Sequence, residues 1–169
     1  MKDILLVDGY NMIGAWPELR QMKDKDLGLA RDRLVEIMAE YQAYTGYKVN
    51  VIFDAHMVEG IGKNYHNHRV DVIYTKKNET ADERIEKLVH QLKRIDTRIH
   101  VATSDFTEQS LTFGSGALRK SARELLIETE MTGKGIDKEV QKTQKKKNST
   151  KIPLSDEIAE IFEKWRRQR

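Results

Sequence analysis

The chain has 169 residues, enough for one domain with a buried core and too few for two of ordinary size. It has no cysteine, which excludes disulfides, thiolate nucleophiles and cysteine-ligated metal clusters and fits a reducing cytoplasm. The net charge of +3 is too mild to imply a nucleic-acid partner by itself, and no apolar run approaches the ~18 residues of a membrane span.

The chain opens with Ile4-Leu5-Leu6-Val7, a continuous apolar run that suits a central parallel strand covered on both faces, and it ends abruptly in Asp8-Gly9-Tyr10-Asn11. So short a run before Asp8 does not read as a signal peptide. Over residues 26–44, Leu27, Ala30, Leu34, Ile37, Met38, Tyr41 and Tyr44 recur at helical spacing, with Gly46 where a helix would stop. Residues 49–53 predict a second strand that again ends in a carboxylate, Asp54. Residues 70–74 alternate and predict a third strand nearer an edge. Thr80-Ala81-Asp82-Glu83 has capping-box spacing ahead of Ile85, Leu88, Val89 and Leu92, which places Asp82 in the first turn of a helix. Residues 99–102 predict a fourth strand, followed by Thr103-Ser104-Asp105.

A further helix is expected over residues 116–131, burying Leu118, Ala122, Leu125 and Leu126 and ended by Gly133 and Gly135. These elements make a folded domain of residues 1–136. Residues 137–153 read as a lysine-rich linker or loop. Between 138 and 151 six lysines face one glutamate, a local +5 that leaves the rest of the chain at −2. Residues 154–169, with Ile158, Ile161, Phe162 and Trp165 on one face, predict an amphipathic helix packed on the domain. The alternation of strands and helices indicates an α/β sandwich around a mainly parallel sheet, whose functional crevice lies beyond the carboxyl ends of the strands.

Asp8, Asp54 and Asp105 all follow strands, so a parallel sheet would bring them to one edge, where Asp82 can join them. Carboxylates gathered there repel one another unless a cation sits among them, and their hard oxygens suit Mg²⁺ or Mn²⁺. Such ions activate water and stabilise charge in phosphodiester cleavage, so the pattern is nuclease-like. Each aspartate alone has a plainer reading, as a turn residue or, for Asp82, as a first-turn acid favoured by the helix dipole. Asn11 is placed to hold a metal-bound water or a phosphate oxygen, or to shape a turn.

Asp8-Gly9-Tyr10-Asn11, Phe53-Asp54-Ala55, Glu79-Thr80-Ala81-Asp82-Glu83, Thr103-Ser104-Asp105 and the run GALRKSAREL at 116–125 resemble, in this order and spacing, the YacP-like NYN-domain ribonucleases, relatives of the PIN-domain nucleases. The match spans residues 3–131. The resemblance implies a PIN-like (NYN) three-layer sandwich and endonucleolytic cleavage of RNA that depends on Mg²⁺ or Mn²⁺. It implies metal ligands at Asp8, Asp82 and Asp105, support from Asn11 and Asp54, metal-activated water as nucleophile, and products with 5′-phosphate and 3′-hydroxyl ends. It further implies association with the ribosome and cleavage of mRNA in the A site, a route of mRNA decay. PIN-like sites commonly carry a fourth acid, and Asp54 follows a strand rather than sitting on a helix.

Arg119 and Ser121 match the family's motif and are expected, with Lys145, Lys146 and Lys147, to contact RNA or ribosome. Lys120 and Arg123 share the expected helix with them, behind Gly114-Ser115-Gly116, whose amides can face a phosphate. His66 and His68 form a His-x-His pair that can bind zinc but has no cysteine or clear third ligand, and the loop with His56, Lys63, Asn64, Tyr65 and Arg69 reads as an RNA contact or a solvated loop. A haloacid-dehalogenase-type phosphatase would need Asp-x-Asp after the first strand, where position 10 is tyrosine, and there is no phosphate-binding Gly-x-x-x-x-Gly-Lys run. The expected activity is thus a metal-dependent endoribonuclease with mRNA and ribosome as partners and no membrane. The alternative is a non-catalytic RNA- or ribosome-binding factor on the same fold.

Overall fold

The computed structural model describes residues 1–55, 65–67, 70–104, 116–149 and 163–166. The chain divides into two units, residues 1–132 and residues 133–169, and the first holds the sheet. Its elements are β1 (Lys2–Asp8), α1 (Gly9–Ala15), α2 (Pro17–Lys25), α3 (Leu27–Thr45), β2 (Lys48–Phe53), β3 (Tyr65–Asn67), β4 (Val70–Tyr74), α4 (Ala81–Leu92), β5 (Thr97–Ala102), β6 (Leu118–Lys120) and the start of α5 (Ala122–Ser149). Among the described residues six strands form one sheet in the order β3-β4-β2-β1-β5-β6. All pairings are parallel except that of β3 with β4.

The apolar run of β1 takes the central place because both of its faces are covered. Leu5 and Val7 pack with Met12, Trp16, Leu34, Met38 and Leu125 of the α1, α2, α3 and α5 layer. Leu6, on the other face, packs with Ile52, Ile85 and Val89 under α4. The result is the three-layer α/β sandwich expected, with each fully buried aliphatic side chain contributing about 1.5–3 kcal/mol. Asp26 caps α3 by accepting the Gly28 amide at 2.8 Å, and Gly46 ends it in the left-handed conformation at φ 80°. Trp16 closes the junction of α1 and α2 by donating its indole N–H to the Ala122 carbonyl at 2.9 Å.

Several segments differ from the sequence expectation. Residues 9–25 form two helices split by Pro17, which occupies the first position of α2. The alternating β4 does lie near an edge, as expected, with the short β3 paired outside it. Residues 118–120 are strand, not helix: Gly116 turns at φ 83°, Leu118 is 48% exposed rather than buried, and the helix starts only at Ala122. Gly133 and Gly135 do not end that helix, which continues through 137–149, the stretch expected as a linker. Each glycine costs about 1 kcal/mol there, a sum the surrounding Glu, Lys and Gln helix formers absorb. Of the tail, residues 163–166 form one helical turn with Trp165 exposed, and Ile158, Ile161 and Phe162 lie outside the described residues.

Gly9 has a packing role that its sequence position did not suggest. A Cβ there would lie 2.3 Å from Cε1 and 2.5 Å from Cδ1 of Phe53, whose ring fills the space a side chain would occupy. Helix propensity alone would favour alanine over glycine by about 1 kcal/mol, whereas overpacking typically costs about 1–3 kcal/mol. Gly9→Ala is therefore expected to lower stability in urea unfolding by roughly 1–2 kcal/mol. A rise in midpoint would contradict the close contact.

Candidate functional site

The parallel sheet delivers the ends of β1, β2, β4, β5 and β6 to one edge. Asp8 is the last residue of β1, in register with Ile52 of β2, while Val7 pairs with Ala102 of β5. Its side chain is buried and caps α1, the carboxylate accepting the Asn11 amide at 3.5 Å. At the same edge the Tyr10 and Phe53 rings form a tilted pair 5.1 Å apart, and Phe53 stacks on Tyr74 at 5.6 Å. The Asn11 side-chain oxygen accepts both the backbone N–H of Ser104, at 2.6 Å, and its hydroxyl, at 2.7 Å. This ties the first turn of α1 to the exit of β5.

Asp54 follows β2 at the same edge and is half-buried. The segment around it is fixed by Thr75, whose hydroxyl accepts the Ala55 amide at 2.9 Å and whose own amide donates to the Phe53 carbonyl at 3.0 Å. Asp82 lies in the first turn of α4, which starts at this edge because it follows β4 and returns toward β5. Thr80 caps α4 by accepting the Glu83 amide at 3.2 Å, but Glu83 is exposed and makes no return bond, so only half of the capping box forms.

Glu79, one residue before the cap, is the carboxylate that ties down this end of α4. It is 4% exposed and accepts the Lys76 amide at 3.3 Å, Lys87 Nζ at 2.7 Å and the Arg84 guanidinium at 3.5 Å. One carboxylate thus joins the β4–α4 loop to the first two turns of α4, the turns that carry Asp82. Burial alone would raise the Glu79 carboxyl. The Lys87 hydrogen bond, the Lys76 amide and the charges of Arg84 and Lys87 outweigh it and hold the group below its ordinary value. The sequence signal for it was an acid one residue ahead of a helix cap with basic residues five and eight positions later.

The other expected residues are distributed differently. Asp105 lies outside the described residues, as do His56, Lys63, Asn64, His68, Arg69, Gly114 and Ser115, and His66 falls in β3. Arg119 and Lys120 are on β6, not a helix, and face opposite sides. Arg119 is exposed, whereas Lys120 is buried and donates to both Glu128 oxygens, at 2.9 and 2.7 Å. Burial and the neighbouring Glu128 push the Tyr41 hydroxyl up, so it stays protonated and donates to Glu128 at 2.9 Å. Ser121 caps α5 by accepting the Glu124 amide at 3.1 Å, and Gly116 sits in a turn before β6 rather than at a helix start. Arg123 is exposed on α5, and Lys145, Lys146 and Lys147 fall in its part belonging to the second unit.

Among the described residues no three acidic or imidazole groups are placed to hold one ion. The donor chemistry nevertheless fits a hard divalent cation, since Asp8 and Asp82 offer carboxylate oxygens from two rigid elements at one sheet edge, with no sulfur or imidazole beside them in sequence.

The chain matches the family model described as YacP-like NYN domain over residues 5–167. A Bacillus subtilis (strain 168) relative, described as uncharacterized protein YacP, is 61% identical over 165 residues, covering 98% of this chain and 97% of the relative. The crystal structure of Rae1 (YacP) from Bacillus subtilis is 61% identical, covers 98% of this chain and 95% of that one, and superposes with a TM-score of 0.78. A tryptophan-to-leucine mutant of the same protein is 55% identical over 94% of this chain and 89% of that one, with a TM-score of 0.76.

The Glu79 clamp has a pH signature. A carboxyl whose folded pKa is depressed stabilises the fold above its unfolded value and loses that contribution as pH falls through the folded one. Glu79→Gln removes the charge, so it is expected to cost about 1–3 kcal/mol at pH 7. The gap to the parent should narrow as pH falls below about 4.3. Urea unfolding of both proteins across this range provides the check, and an undiminished gap at the acid end would show that the charge does not matter.

Proposed function

Because the chain belongs to the YacP-like NYN domain family, which places it among nuclease-type proteins, we propose that it is a metal-dependent endoribonuclease that cuts mRNA on translating ribosomes. The observation that carries this reading is the delivery of Asp8 and Asp82, from β1 and α4, to the same edge of one parallel sheet. Asp54 and Asn11 flank that edge. RNA as substrate follows from the resemblance to ribonucleases in the motifs around these residues.

Asp8, Asp82 and Asp105 would hold Mg²⁺ or Mn²⁺. When bound, such an ion supplies positive charge against the negative charge that develops during phosphodiester cleavage and lowers the pKa of water. The chain's own part is to keep the carboxylates still. Asp8 is held by its place at the end of a strand paired on both sides and by its capping bond to Asn11. Asp82 is held through the Glu79 clamp on its helix.

Ribosome dependence is supported by what an acidic edge cannot do alone. Carboxylates repel phosphates, and ordering a flexible strand costs entropy that few contacts would offset. A ribosome presents mRNA already extended, which raises its effective concentration at the site. Lys145, Lys146 and Lys147 form a basic stretch of the sequence within α5, and lysines bind ribosomal RNA phosphates with little sequence preference. Arg119, exposed on β6, is a further contact. No helix among the described residues is long and apolar enough to cross a membrane, in keeping with work on ribosomes in the cytoplasm.

Asp8→Asn and Asp82→Asn should each reduce RNA cleavage by orders of magnitude. Asparagine caps a helix as well as aspartate does, so Asp8→Asn should leave stability within about 1 kcal/mol of the parent. Two variants that cut at the parent rate would remove the metal assignment. For the ribosome, one mRNA is compared when free, when bound to stalled ribosomes, and when its reading frame is shifted by one nucleotide. Faster cutting on ribosomes and a cut position that follows the frame are expected. Equal rates and positions in all three would indicate a ribosome-independent nuclease, and binding without cutting in any arm would indicate a non-catalytic factor.

A further inference from the structure

We infer that Asn11 serves the site as a hydrogen-bond donor to a non-bridging phosphate oxygen of the RNA, not as a metal ligand, and that Ser104 is the residue that orients it. This rests on the nuclease reading above and assigns a role within that site.

A carboxamide has two different ends, an oxygen that accepts and an NH₂ that donates, and which end faces the site decides what it can bind. The usual ambiguity between the two is resolved here by the partner. A backbone N–H can only donate, and that of Ser104 lies 2.6 Å from the Asn11 side chain, so the atom facing it must be the oxygen. The Ser104 hydroxyl, at 2.7 Å, supplies a second donor to the same oxygen. With two hydrogen bonds the oxygen's lone pairs are taken, and it has none left for a cation. The NH₂ group makes no hydrogen bond among the described residues, although Asn11 is only half-buried and sits one helical turn from Asp8.

The ligand class follows from this orientation. An NH₂ group cannot coordinate a metal, but it can donate to an oxygen carrying negative charge, and a group entering beside Asp8 would bring one. In a phosphodiester-cleaving site the group is the phosphate. Ser104 does not touch substrate in this arrangement. It is a positioning residue that links the exit of β5 to the first turn of α1, so the donor points one way before RNA arrives.

Three full-length variants test this: Asn11→Ala, Asn11→Asp and Ser104→Ala, with Ser104→Thr as the conservative rescue. Two readouts are independent of cleavage: Mn²⁺ binding without RNA, followed by electron paramagnetic resonance, and binding of a short labelled oligoribonucleotide in EDTA. If Asn11 is a phosphate donor, Asn11→Ala leaves Mn²⁺ affinity within about twofold of the parent and weakens RNA binding by about tenfold. Asn11→Asp keeps the acceptor for Ser104 and so guards against misfolding, yet replaces the donor with charge. It should weaken RNA binding at least as much as Asn11→Ala. Ser104→Ala should move RNA binding in the same direction by less, because the backbone N–H remains, and Ser104→Thr should restore it. A large loss of Mn²⁺ affinity in Asn11→Ala, or parent-like RNA binding in Asn11→Asp, would overturn the assignment. Should the parent cut no RNA under any condition, the nuclease reading fails, while the EDTA binding series still decides the role of Asn11.

Discussion

The structure depends on one strand being paired on both sides. β1 runs parallel to β2 and to β5 through most of its length, and Leu5, Leu6 and Val7 are completely buried between two helical layers. A strand held so cannot slip, because a shift of one residue would exchange the side chains of its two faces. Its last residue, Asp8, is therefore fixed in height relative to the ends of its neighbours. The same constraint explains Gly9: the chain must turn directly into α1 at a point where the Phe53 ring leaves no room for a side chain. Rigidity at the edge of the sheet is a consequence of core packing, and the chemistry proposed for that edge draws on it.

Three polar ties extend this rigidity beyond the strands. Asn11 and Ser104 join the segments after β1 and β5, Glu79 joins the segment after β4 to α4, and the Lys120–Glu128–Tyr41 set joins β6 to α5 and α3. In each, a buried or half-buried polar group is matched by partners on another element, which turns the cost of burial into directional specificity. The Glu79 tie has an uneven balance: Lys87 and Arg84 offer more positive charge than one carboxylate neutralises, and Arg84 Nε is buried without a hydrogen bond. The excess stands on the helix turns just beyond Asp82.

Apolar runs and helix caps made much of this legible in the sequence. β1, β2, β4 and β5 announce themselves as short Val/Ile/Leu runs, and α3 and α4 by their periodicity between Asp26 and Gly46 and behind Thr80. α1 and α2 were hidden because Gly9, Gly14 and Pro17 look like turn residues, although Met12, Ile13, Trp16 and Leu19 carry a helical spacing that is buried in the fold. β6 was missed because three residues are too few for a periodicity, and its pairing with β5 is a tertiary event that local sequence does not encode. Asp8, Asn11, Asp54 and Asp82 could be assigned to one edge from strand order alone. The partners that orient them could not, since Asn11 and Ser104 are 93 residues apart and nothing local joins them.

Charge also looks different once burial is known. The sequence groups Arg119, Lys120 and Arg123 as one basic patch, but Lys120 is committed to Glu128 within the fold and has no charge to offer a phosphate. Of that group Arg119 and Arg123 stay exposed, while the edge carries Asp8, Asp54 and Asp82 and, after β4, the exposed Lys76 and Lys77. Carboxylates gathered at such an edge can position a phosphodiester through a few directed groups but do not themselves attract RNA over distance. Under the proposed function, attraction over distance falls to the local +5 of residues 138–151, in the second unit. Affinity and chemistry are in this way assigned to different parts of the chain. In the function proposed above, the lysines would hold the anionic assembly while the carboxylates would meet only the strand it presents.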